Sequence, residues 1–330
     1  MPANLTPQYR EVEAKYRAAV TPQEKLAALE EMLAVIPKHK GTEKLQGDIK
    51  RRIAKLKDRD KKTAGAKRGY ELRIEREGAG QITLVGPPNS GKSLLVSRLT
   101  AAKTEVAEYP FSTRKPLPGM MEYEDIQIQL VDMPPIAPDS SEPWVLAIVR
   151  GADASLVVLD ASDPDLLEGF EGAKEELVKS KILLHGTAEE PPSNLGVGYV
   201  AEPAIIAANK IDLLGAEDNV AVLRDLYGAE MPVINVSAET GEGLEELRQA
   251  LFELLGIVRV YTKMPGKPPD LNRPFTLPQG STLLDLAAQV HHDFADKLKF
   301  ARAWGNDKPD AAMIGRDYVL MDKDVVELHL

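Results

Sequence analysis

The sequence predicts a doubly wound α/β domain, preceded by a basic helical segment and followed by a small α+β unit. Three observations carry that prediction. Between residues 77 and 256, short β-rich apolar runs alternate with helical patterns, which argues for a parallel sheet covered by helices on both faces. Residues 1–76 carry apolar stripes at helical spacing, and residues 257–330 carry strand runs around one helical pattern. At 330 residues, 43% hydrophobic and 28% charged, the chain is long enough for two or three ordinary globular domains.

In the first region Leu26, Leu29, Leu33 and Ile36 recur at helical spacing, and Pro37 ends that helix. Leu45, Ile49, Ile53 and Leu56 form a second stripe, with Lys44, Lys50, Arg51, Lys55 and Lys57 largely on other faces. Residues 38–76 hold 15 Lys and Arg against 6 Asp and Glu, a net +9 on a chain whose total is −10. A solvated helix face is the plain reading of such a run. Its length also suits the docking of nucleic acid or another polyanion. Residues 61–69, with two glycines, read as a linker.

The middle region offers strands at 82–85, 126–131, 155–159, 204–208 and 232–236, with helices following Lys92, Pro143, Pro164, Ala216 and Gly243. In the last region, 258–262 and 273–277 read as strands. A helix with Leu283, Leu284, Leu286, Ala287, Val290 and Phe294 on one side follows, and strands ending at 325–330 close the chain.

Composition removes several functions. With no cysteine there is no disulfide framework, zinc ribbon or thiol nucleophile, which fits a cytoplasmic protein. No apolar run approaches the roughly 18 residues of a membrane span, so no membrane role is expected. The N-terminus lacks the pattern of a signal peptide. Five scattered histidines make no metal-spaced set, and His291 and His292 are expected at the surface.

The chemistry lies in the middle region. Gly86-Pro-Pro-Asn-Ser-Gly-Lys-Ser93 follows an apolar strand and precedes a helical run, so it fits G-x-x-x-x-G-K-[ST] in the context that gives the motif meaning. Its backbone N–H groups, from Gly86 through Asn89, Ser90 and Gly91 to Leu94, are expected to cradle phosphates. Lys92 supplies charge to the β- and γ-phosphates, and Ser93 offers a hydroxyl to Mg²⁺. Asn209-Lys-Ile-Asp212 stands at the carboxyl end of a strand, where open α/β sheets bind ligands. Asp212 can accept both guanine N–H donors, Asn209 can bond the other edge, and the stem of Lys210 can lie over the ring. Ser237 and Ala238 follow the next strand and can back the base through a main-chain N–H. Adenine offers no such donor pair, which weighs against an ATPase or small-molecule kinase. GTP or GDP is the expected ligand.

These motifs form the GTPase set, and Tyr109-Pro-Phe-Ser-Thr-Arg-Lys-Pro-Leu-Pro-Gly119 resembles the switch I signature of the Obg superfamily. The chain is most similar to the developmentally regulated GTP-binding proteins, which share a lysine-rich helical N-terminus and end in a TGS domain of β-grasp fold. Val258-Arg-Val-Tyr-Thr-Lys-Met-Pro-Gly266, Trp304-Gly305 and 320–326 resemble that domain. The resemblance implies that Thr113 reaches Mg²⁺ in the triphosphate state and that Asp132 organises the ion through water. It implies that Asn89 can help hold a K⁺ ion. It also implies that ribosome or RNA is the partner, with a protein partner for the TGS domain as a further expectation.

Two departures stand out. The expected D-x-x-G reads Asp132-Met-Pro-Pro135, followed by Ile136, and proline has no N–H for the γ-phosphate. Losing that bond should weaken discrimination of GTP from GDP by about 1.5–3 kcal/mol and leave hydrolysis slow. A nucleotide-dependent scaffold that hardly hydrolyses GTP is the alternative. The second departure is a loop at 185–198 where the family carries an inserted domain.

Overall fold

The computed structural model describes residues 22–36 with scattered positions around them (8, 12, 46, 47, 49–51 and 53), then 74–100, 116–137, 142–186, 195–305 and 311–329. Two compact units result, Met1–Arg73 and Ile74–Leu330. In the first, helix α1 (Pro22–Val35) stops before Pro37, as expected. Leu29, Met32 and Ile36 pack with Val12 and Ile49 in a small core. Leu45, Leu56 and most of the basic run lie outside the described residues.

In the second unit, alternating side chains along each strand build a core on either face of a seven-stranded sheet. Strands β1 (Gln81–Val85), β3 (Ile126–Asp132), β4 (Ala154–Asp160), β6 (Val200–Asn209) and β7 (Val233–Asn235) fall where the apolar runs predict them. They run parallel to one another in the sheet. Helices α2 (Lys92–Leu99) and α6 (Leu244–Leu254) cover one face. Helices α3 (Pro143–Val149), α4 (Leu166–Lys179) and α5 (Ala216–Tyr227) cover the other. The sheet is doubly wound.

It is not wholly parallel. Leu117–Tyr123 forms a strand, β2, antiparallel to β3 in full register from Leu117↔Asp132 to Tyr123↔Ile126. The last residues read as switch I, Leu117 to Gly119, therefore belong to a strand. A four-residue strand β5 (Ile182–His185) pairs with the first half of β6, while β7 pairs with the second half.

The C-terminal part folds as a five-stranded sheet in the order β11-β10-β12-β8-β9. Here β8 is Ile257–Thr262, β9 Phe275–Pro278, β10 Phe300–Trp304, β11 Ala312–Ile314 and β12 Asp324–His329. One helical pattern becomes two helices, α7 (Leu283–Val290) and α8 (His292–Lys297), because His291 is extended with φ −167°. A capping box between Thr282 and Asp285 starts α7, whose Leu283, Leu286 and Ala287 fill a core of their own with β8 and β10. The break at His291 also brings both histidine rings within 4.7 Å, and with Asp293 their ligand atoms lie within 4.8 Å of one another. Neighbours on one continuous helix would point in different directions, and the extended residue is what sets these two together. Both histidines are exposed, as expected.

Candidate nucleotide site

The site forms where β1, β3, β4 and β6 end. After β1 the chain must turn sharply over the sheet. Gly86 takes φ +143°, and a Cβ there would stand 2.3 Å from the Val158 carbonyl oxygen. Gly91 takes φ +92°, and its Cβ would meet Asn209 Nδ2 at 2.4 Å. Only glycine fits either position. Lys92 opens α2, and its Nζ donates to the carbonyls of Gly86 (3.0 Å) and Pro87 (2.6 Å). Burial lowers its pKa to about 8, partly opposed by the Asp132 charge. Ser93 Oγ donates to Asp132 Oδ2 at 2.5 Å. Burial raises the Asp132 pKa, against the Ser93 hydrogen bond and the Lys92 charge.

A cleft of about 530 Å³ is lined by Asn89, Gly91–Leu94, Asp132–Pro135 and Lys210. The phosphate cradle, the acid after β3 and the lysine after β6 therefore share one opening. Asn89 (φ 61°) and Leu94 sit exposed at its rim, and Ser90 is buried.

The loop after β6 is wired to the loop after β1. Asn209, 1% exposed, donates from Nδ2 to the Ser90 carbonyl at 2.9 Å. Its Oδ1 accepts from the Ala238 N–H at 3.0 Å. Two groups expected to meet the base are thus bonded to each other, and Asn209 braces two loops. Asp212 Oδ1 accepts from Ser237 Oγ at 2.6 Å, which orients that carboxylate. Lys210 (φ 66°) reaches Asp160.

At the start of switch II, Ile136 is fully buried and its N–H donates to the Gly86 carbonyl at 3.1 Å. Pro135 has no N–H, and the next one is committed to the phosphate loop. Thr113 and residues 138–141 lie outside the described residues.

Two residues fall outside the motifs: Asp160, which pairs with Lys210, and Ser162, which donates to Asp160. The available signal was position: Asp160 follows the apolar run 155–159, at the carboxyl end of a central strand.

A family profile described as "50S ribosome-binding GTPase" matches residues 81–189, and one for the TGS domain matches 258–330. This chain is a P-loop GTPase with a C-terminal TGS domain. Developmentally regulated GTP-binding proteins are among the relatives it resembles over most of its length, at 28% identity or less. GTP-binding protein MJ1326 of Methanocaldococcus jannaschii is 28% identical, covering 93% of this chain and 92% of that one. Developmentally-regulated GTP-binding protein 1 of Xenopus laevis is 28% identical, covering 92% and 98%. Ribosome-interacting GTPase 1 of Saccharomyces cerevisiae is 27% identical, covering 93% and 99%. The match to MJ1326 spans 360 aligned positions, more than the 330 residues of this GTPase, so that relative carries segments absent here.

Proposed function

We propose that this GTPase is a guanine-nucleotide switch with slow, Mg²⁺-dependent hydrolysis, acting on the ribosome or RNA in the cytoplasm. The observation that carries the nucleotide site is the Asn209–Ser90 bond, which sets the base-reading loop beside the phosphate cradle. The phosphates would lie on Gly86 and Asn89–Leu94 with Lys92, and the base against Asn209–Asp212 and Ser237–Ala238. Ser93 and Asp132 put a hydroxyl and a carboxylate oxygen side by side, the hard donor set that Mg²⁺ takes. They would hold the ion with Thr113 of switch I, and the ion would neutralise charge on the β- and γ-phosphates. Slow turnover follows from Pro135 and the committed Ile136 N–H, which leave sensing of the γ-phosphate to switch I.

We divide the chain into a basic helical segment (1–76), a GTPase domain (77–256) and a TGS domain (257–330). The separate core of the last part supports its boundary. The ribosome enters through the yeast relative's name and the net +9 of residues 38–76. Co-sedimentation with ribosomes tests it, comparing GDP with a non-hydrolysable GTP analogue at low and moderate salt. Binding selective for the analogue and weakened by salt is expected. Absence of binding in both states would remove the ribosome and turn the search to a protein partner of the TGS domain.

Pro135 favours a second reading, a nucleotide-dependent scaffold that hardly hydrolyses GTP. Turnover stimulated by ribosomes, or by K⁺ held at Asn89, would sink it.

A further inference from the structure

We propose that Asp160 is a positioning residue for the guanine site: its carboxylate holds Lys210 so that the lysine stem forms a wall for the base. This rests on the reading that the Asn209–Asp212 loop meets the base. Lys210 Nζ lies 2.5 Å from Asp160 Oδ2, and the two side chains are 32% and 18% exposed. Its Cε stands 4.0 Å from where a Gly91 Cβ would be, so the stem runs beside the phosphate loop. A free lysine stem samples many rotamers, and a planar base gains most from one already laid in place.

Isolated surface ion pairs contribute little. This pair is built in. Asp160 Oδ1 accepts from the Ser162 N–H at 3.0 Å and from Ser162 Oγ at 2.6 Å, which fixes the carboxylate plane. The Ala161 N–H donates to the Asn209 carbonyl at 2.8 Å, tying the turn after β4 to the residue before Lys210. From α5, Asn219 Nδ2 donates to the carbonyls of Ala161 (2.8 Å) and Asp163 (3.1 Å). Lys210 itself sits at φ 66°, a conformation uncommon for a side chain of its kind, and the tether helps to hold it there. Burial raises the Asp160 pKa, but hydrogen bonds from Lys210 and Ser162 outweigh it and keep the carboxyl below its ordinary value, hence charged at neutral pH.

The test is equilibrium binding of GDP to the full chain and to Asp160→Ala, Lys210→Met and the double variant, with inorganic pyrophosphate as a probe of the phosphate end alone. Asp160→Ala is expected to weaken GDP roughly tenfold and leave pyrophosphate unchanged. On the Lys210→Met background the same change should cost nothing further. Asp160→Asn, which keeps the volume and an oxygen for Ser162, guards against a folding defect and should weaken GDP in the same way. Equal losses in both backgrounds would overturn the proposal, because Asp160 would then act independently of Lys210. Loss with Lys210→Met but none with the Asp160 variants would overturn it too, while leaving the base-reading loop standing. If Lys210→Met bound GDP like the parent, the base-reading assignment would fail and the proposal with it.

Discussion

Asn209, Asp212 and Pro135 show how single residues divide the work of the site. Asn209 spends its amide on Ser90 and Ala238, which on the proposed reading would leave Asp212, oriented by Ser237, to distinguish guanine. Asp212→Asn should lose two charge-assisted hydrogen bonds to guanine, costing about 3 kcal/mol or more, while the new amide suits a xanthine edge. Competition between GDP and xanthosine diphosphate checks this, and retained guanine preference would contradict it. The motif made these residues visible because each is carried by local sequence. The bracing of Asn209 was not visible, since its partners lie 119 and 29 residues away.

At the scale of elements, two polar features cross between strands. Glu202 on β6 is 1% exposed and accepts from Ser155 Oγ on β4 at 3.1 Å. Burial is the main reason its pKa rises to about 8 from the ordinary 4.5. The unfolded chain releases this proton near pH 4.5 and the folded chain near 8. Between those values the unfolded state binds fewer protons, so stability falls as pH rises, by about 1.4 kcal/mol per unit. Glu202→Gln removes the titration. Denaturant unfolding should show parent and variant alike near pH 5, and the variant more stable by a few kcal/mol at pH 8.

The second feature is Arg259 on β8, 2% exposed. It pairs with Asp322 (2.6 Å) in the TGS domain and with Glu124 and Asp125 (2.5 and 2.8 Å) at the tip of the β2–β3 hairpin. Its guanidinium lies 4.7 Å over the Phe252 ring, and Tyr261 donates to Asp125 at 2.5 Å. The hairpin thus meets the nucleotide cleft at Asp132 and the TGS domain at its tip. Removing one partner of a buried cluster strands the others. Arg259→Ala should cost about 3 kcal/mol, discounted from the upper range because Glu124 is nearly half exposed. Hydrogen exchange should show the loss as faster exchange in β8 and the hairpin, and an unchanged pattern would contradict it.

Apolar runs exposed the central strands of the GTPase domain because those strands are buried on both faces. They hid β2, whose Pro118 and Gly119 are poor strand formers tolerated at the sheet edge, and β5, an edge strand of four residues. The helix break at His291 was equally hidden, because apolar spacing continues through it to Phe294.

For the whole molecule, a guanine-nucleotide cleft and a TGS domain share one compact unit, and the net +9 of residues 38–76 sits on a chain of net −10. On the proposed reading, this cleft binds guanine nucleotides while switch II contributes little to sensing the third phosphate. The most direct measurement is the affinity for GDP against a non-hydrolysable GTP analogue, in the parent and in Pro135→Gly. Near-equal affinities are expected in the parent, and roughly a tenfold or greater gain for the analogue alone in the variant, as an N–H is restored. A parent that already prefers the analogue by that margin, with no gain in Pro135→Gly, would contradict it.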